Sequence, residues 1–180
     1  MNSTPTSVTS VPVPDREHDP LTGLWSRDSL LRLLFPETDR VQRMGTPLAF
    51  LLLDLDHFTR VNAEFGRATG DKVLRELAHR LRRCLRSYDL LGRSDEDAFL
   101  VALPGCDSDQ ARHLASRVRT IILHKPFTAG SVSIALTASI GIAHSRGRSP
   151  LVVLREAESA LAEAKLGGRN CEREYIPPGP

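Results

Sequence analysis

The sequence predicts an α/β fold in which a central mixed sheet is flanked by helices. Three observations carry this. Helical and strand-like hydrophobic periods alternate along the chain. One apolar run, residues 48–53, is far too short for a membrane and suits a buried strand. Two short strand-like runs flank a polar turn, as in a hairpin.

The elements follow in order. Ser26 can cap a helix carrying Leu30, Leu31, Leu33 and Leu34. Pro36 should interrupt it, with a second amphipathic stretch reaching Met44. Residues 47–56, PLAFLLLDLD, read as a buried strand with its carboxylates at the functional end. Residues 57–65 form a short helix. Thr69 can cap a helix over residues 71–85, where Val73, Leu74, Leu77, Leu81 and Leu85 recur at helical spacing. Residues 89–94 and 98–103 make the hairpin. Residues 108–123 are helical, with Leu114, Val118, Ile121 and Ile122 facing inward. Residues 132–143 read as one strand, and residues 150–166 as a last helix stopped by Gly167-Gly168.

The 180 residues suit one domain with tails, at 41% hydrophobic and 26% charged residues. Residues 1–18 are rich in Ser, Thr, Pro and Val, and residues 176–180 are breaker-rich, so both read as tails around a domain at 19–175. Lys+Arg 24 against Asp+Glu 22 is too even for a dedicated nucleic-acid or membrane-surface binder. The three cysteines share no CxxC or Cys/His spacing, which argues against a disulfide framework or structural zinc. The N-terminus lacks the basic and apolar regions of a secretory signal, so the expected location is the cytoplasm.

Four clusters could carry chemistry. Strand alternation puts Asp54 and Asp56 on one face, and paired carboxylates there suit Mg²⁺; the plainer reading is a strand emerging into solvent. Asp95-Glu96-Asp97 lies in the hairpin turn, where three acids need solvent or a cation. Arg86 and Asp89 stand three apart, enough for a salt bridge or for reading a guanine: the carboxylate accepts from N1–H and N2–H while the guanidinium donates. Lys165 and Arg169 flank Gly167-Gly168 at a helix end, where they suit the helix dipole or hold a phosphate.

The order of these motifs resembles that of a GGDEF domain, the fold of diguanylate cyclases with a nucleotidyl cyclase, polymerase-palm-like sheet. Residues 19–24, DPLTGL, followed by Arg27, are similar to the family's DxLTxLxNR opening, with Ser26 in place of Asn. Residues 53–58, LDLDHF, are similar to its DxDxF strand end. Asn62 with Gly70-Asp71, and Ala164-Lys165 with Gly168-Arg169-Asn170, complete the set. The family's signature hairpin, RYGGDEF, aligns with Arg93-Ser94-Asp95-Glu96-Asp97-Ala98-Phe99, which keeps Asp97 and Phe99 but neither glycine nor the glutamate.

The resemblance implies specific roles. Asn62 and Asp71 match guanine contacts for GTP, Lys165 and Arg169 match triphosphate contacts, and Asp54 and Asp97 match metal positions. Ala98 stands where the family has an acid used in metal binding and catalysis. Asp95 and Glu96 bring two charges beside a polyanion, each repelling it by about 1 to 4 kcal/mol at a separation of ~4 Å. Arg86-Ser-Tyr-Asp89 matches the family's RxxD inhibitory site for cyclic di-GMP, and Arg117 a further arginine that reaches the ligand from a neighbouring domain.

The expectation is therefore a catalytically inactive domain that binds cyclic di-GMP and relays its level to a protein partner, with a ligand-linked homodimer as one route. No cofactor is required, and Mg²⁺ is implied only where GTP still binds. Two alternatives stand beside it: a weakly active cyclase, favoured by the retained GTP residues, and a ligand-independent scaffold.

Overall fold

The computed structural model describes residues 17–178. Its elements are α1 (Arg27–Met44), β1 (Leu48–Leu55), α2 (Phe58–Phe65), α3 (Arg67–Cys84), β2 (Leu90–Arg93), β3 (Ala98–Pro104), α4 (Ser108–His124), β4 (Phe127–Ala129), β5 (Val132–Ile134), β6 (Ala138–His144), α5 (Pro150–Leu166) and β7 (Glu172–Glu174). The main sheet has the order β2-β3-β1-β6-β7. Its pairs are antiparallel except for β6 and β7, so the sheet is mixed as expected.

β1 lies at the centre, and its eight residues are all buried. Helices cover both sheet faces, which is why its sequence is continuously apolar rather than alternating. Ala49, Leu51, Leu53 and Leu55 join the core beneath α3 and α4, while Leu48, Phe50 and Leu52 join the core beneath α1 and α5. α5 sits directly on β6: a Cβ added at Gly141 would stand 2.1 Å from the Ala157 carbonyl, so only glycine allows that approach. The sheet's two edges are different. β2 is bridged at Gly92 by Trp25, and Arg93 N–H donates to Trp25 O at 2.9 Å. β7 is a charged Glu-Arg-Glu strand.

Several expected boundaries shift. Ser26 does cap α1, accepting from Ser29 N–H, but Pro36 does not interrupt the helix. Pro36 and Arg32 are exposed, so the carbonyl deprived of its N–H partner is open to water. Thr69 is not a cap: α3 begins at Arg67, after Gly66 with φ 82°, and Thr69 lies within its first turn. Along α4, Val118 and Ile122 are buried, whereas Leu114 and Ile121 are half-buried. The expected strand over 132–143 is two strands, with β5 paired to β4 in a separate small sheet and β6 in the main one. The hairpin and α5 stand where the sequence puts them. The N-terminal tail reading falls mostly on residues 1–16, outside the described residues; His18 stacks on Trp25. No helix among the described residues is long and apolar enough to cross a membrane.

Candidate functional site

The signature turn joins β2 to β3 and is held by two arginines. Arg93 donates to the carbonyls of Asp95 at 3.2 Å and Glu96 at 2.5 Å, and pairs with Asp19 at 3.1 Å. Arg27 donates to Ser94 O at 3.2 Å and Ser94 Oγ at 3.3 Å. Burial alone would raise the Asp19 pKa, but bonds from Thr22 and the Arg93 charge hold it below the usual carboxylate value. The opening DPLTGL segment and the turn are thus one assembly. The sequence gives the segment and Arg93 only as motif positions, and the contact between them appears in the fold.

Register places Asp54 directly opposite Ala98 on β3 and Ser139 on β6. Asp54 is buried and pairs with Lys165 Nζ at 2.8 Å. Burial pushes its pKa up, the Lys165 bond pulls it back, and the Asp97 and Asp56 charges raise it again. Asp97 is likewise raised by burial, with Lys165 opposing and Asp95 and Glu96 adding to the rise. Asp54, Asp97 and Lys165 therefore share one electrostatic neighbourhood.

Asp56 has a different role from the paired-carboxylate reading. It is 2% exposed and accepts from the Thr137 hydroxyl, from Ser139 Oγ at 2.6 Å and from Asn170 N–H at 3.0 Å. Three donors commit it to tying the segment after α5 to the sheet. Among the described residues, no three His, Cys, Asp or Glu side chains are grouped to hold a metal. One of the two nearby carboxylates is bound to Lys165, and the position facing it is alanine, so the donor set fits Mg²⁺ poorly.

The other GTP-type residues are only partly gathered. Asn62 on α2 lies against the start of α3, where a Cβ on Gly70 would come within 1.9 Å of Asn62 Oδ1. That glycine lets Asn62 sit beside the turn that carries Asp71. Arg169 is exposed with φ 62°, and its N–H donates to Ala164 O at 3.0 Å.

A second site lies at the other end of β2. Arg86, Asp89 and Arg117 line one cleft of about 460 Å³, together with Cys84, Gln110 and His113. Asp89 Oδ2 accepts from Arg86 N–H at 2.7 Å, which fixes the carboxylate. The Arg86 guanidinium turns to Tyr88, donating to its hydroxyl at 2.9 Å and lying 5.8 Å from the ring centroid. Arg117 donates to Cys84 O at 2.6 Å. Burial raises the Asp89 pKa, while the Arg86 N–H and charge oppose the rise. Such a cleft, with cations, one oriented acceptor and apolar walls, suits a planar base bearing phosphates. Sequence reasoning named the three charged residues but not Tyr88, Gln110 or His113.

Residues 16–171 match the family model described as "Diguanylate cyclase, GGDEF domain". Diguanylate cyclase DgcP of Pseudomonas aeruginosa is 39% identical over 153 residues, covering 84% of this chain and 23% of that protein. Response regulator PleD of Caulobacter vibrioides is 35% identical over 156 residues, covering 84% and 34%. The chain thus spans about a quarter to a third of the length of these curated relatives. Among solved structures, the GGDEF domain of DgcB from Caulobacter crescentus in complex with c-di-GMP superposes with TM-score 0.86 at 26% identity, covering 91% of this chain and 98% of that one. Diguanylate cyclase SiaD from Pseudomonas aeruginosa, in complex with its activator SiaC, gives 0.82 at 36% identity, covering 88% and 60%.

Proposed function

The chain belongs to the GGDEF family of diguanylate cyclase domains, and from that premise we propose that it is a cyclic di-GMP receptor without cyclase activity. The observation that carries the reading is the contrast between its two sites. Arg86, Asp89 and Arg117 converge on one cleft within a single chain. At the signature turn, by contrast, Asp54 faces Ala98 and is bound by Lys165. A solved relative, the DgcB domain, holds c-di-GMP.

In the receptor reading, Asp89 accepts from the N1–H and N2–H edge of a guanine. Arg86 leaves Tyr88 to stack on the base or to donate to its O6 and phosphate, and Arg117 neutralises a second phosphate. The bland role for Arg86 and Asp89, a mutual salt bridge, has little support, because Asp89 is engaged by the Arg86 backbone rather than its guanidinium. Loss of cyclase activity follows from the turn. Two carboxylates, Asp95 and Glu96, replace the glycines that let a triphosphate approach, and the acid at position 98 is missing. GTP and Mg²⁺ are accordingly not needed. The signal passes to a protein partner through a change in assembly or surface on ligand binding, with a ligand-bridged pair of protomers as one form.

The test is calorimetric titration of cyclic di-GMP into the protein and into an Arg86→Ala/Asp89→Ala variant. Affinity at micromolar or tighter in the first, weakened at least ~100-fold in the second, is expected. No binding at tens of micromolar would sink the reading. Incubation with GTP and Mg²⁺ or Mn²⁺, followed by chromatography, should show no cyclic dinucleotide.

A further inference from the structure

We propose that the Trp25 cleft beside Arg86 and Asp89 is a second base-binding subsite, which stacks a guanine of cyclic di-GMP. The proposal rests on the receptor reading and extends it to residues with no place in the RxxD motif.

Arg86 and Asp89 do not line one cleft only. They also line a second, of about 300 Å³, on their far side from α4. The first is walled by α4 and the β3 end; the second is walled by the chain entering α1, with Trp25, His18, Arg82 and Leu91. The charged pair therefore forms a ridge between two concavities. A cyclic dinucleotide carries two bases on one ring, so a ligand seated on the ridge has a base to place on each side.

The second cleft has what a purine needs. Trp25 and His18 stack with ring centroids 4.4 Å apart and planes 24° from parallel, which makes a rigid aromatic wall. The Trp25 backbone is held from both sides, by an antiparallel bridge to His18 and by a parallel bridge to Gly92 that includes the 2.9 Å bond from Arg93 N–H to Trp25 O. Its position is therefore fixed before ligand arrives, and little ordering is lost on binding. Buried Leu91 and exposed Arg82 also line the cleft, and Arg82 donates to Gly23 O at 2.6 Å. An aromatic face for the base with arginines for phosphate is the general pattern by which proteins stack nucleobases.

Trp25 is the chain's single tryptophan, so its emission reports on this cleft alone. Cyclic di-GMP is titrated into the whole protein while heat and tryptophan emission are both followed, and heat is followed for Trp25→Ala and Trp25→Phe. Quenching that tracks the heat is expected, with affinity weakened about 5- to 150-fold in Trp25→Ala and kept within a few-fold in Trp25→Phe. Heat of binding with unchanged emission would overturn the subsite and leave the receptor standing. No heat at all would overturn both. Should Trp25→Ala not fold, the wild-type emission curve and Trp25→Phe decide the outcome.

Discussion

The two ends of β2 handle acidic side chains in opposite ways. At the signature turn carboxylates crowd one another: Asp97 feels Asp95 and Glu96, Asp54 feels Asp97 and Asp56, and Lys165 is the cation close to both Asp54 and Asp97. At the RxxD loop, one carboxylate is held by a backbone N–H, and the surrounding charges are arginines. The first end gathers like charges, and the second sets arginines around one oriented acceptor. One scaffold can therefore carry two sites of different charge balance at the two ends of a single strand.

The largest effect should come from reversing that balance. The combined Asp95→Gly, Glu96→Gly and Ala98→Glu variant removes two charges from the turn and restores the acid facing Asp54. Measured by chromatography with GTP and Mg²⁺, it should form cyclic di-GMP at least ~100-fold faster than the parent. No product would mean that the loss lies deeper than the turn. Next, Arg93→Ala should uncouple the turn from Asp19 and from the carbonyls of Asp95 and Glu96. A cost of about 2 kcal/mol, or about 4–8 °C in Tm, is expected by calorimetry. An unchanged Tm would show that Arg27 holds the turn alone.

The RxxD end makes a pH prediction. Burial raises the Asp89 pKa above its ordinary value of 3.8. Guanine recognition needs the carboxylate ionised, so cyclic di-GMP affinity should be full near neutrality and fall as pH drops through that raised pKa. The loss should begin at a higher pH than for an ordinary aspartate, and Asp89→Asn should flatten the profile. Stability runs the other way: the folded state binds the extra proton, so Asp89 contributes less stability as pH rises through the same window. The smallest effect concerns the cleft's thiols. Burial pushes Cys106 up to about 11 and raises Cys84 as well. Both should resist iodoacetamide at pH 8, and bound ligand should slow alkylation of Cys84 further.

The sequence made the central elements plain because their causes are local. A continuous apolar run marks β1, apolar residues at helical spacing mark α3, and Gly167-Gly168 ends α5. Tertiary causes were less legible. Pro36 stays within α1 because its position faces solvent, and a breaker's effect depends on that orientation. β4 and β7, three residues each, exist only through pairing. In the site, Arg86, Asp89 and Arg117 were readable as motif positions, and they meet in one cleft. Asp54 and Asp56 looked equivalent in sequence, yet one faces Lys165 and the other is consumed by Thr137, Ser139 and Asn170. Strand alternation gives the side of a sheet and says nothing about the donors waiting there.

The treatment of the sheet's edges bears on how copies of the chain can come together. One outer strand is bridged by the polypeptide leading into α1, and the other is a three-residue run of alternating charge. Both are devices that discourage one sheet from continuing into another. Self-association by strand addition, the route to open-ended fibrils, is thereby disfavoured. Any pairing of copies is left to side-chain surfaces. Contacts between side-chain surfaces reverse on dilution, whereas a sheet continued from copy to copy does not.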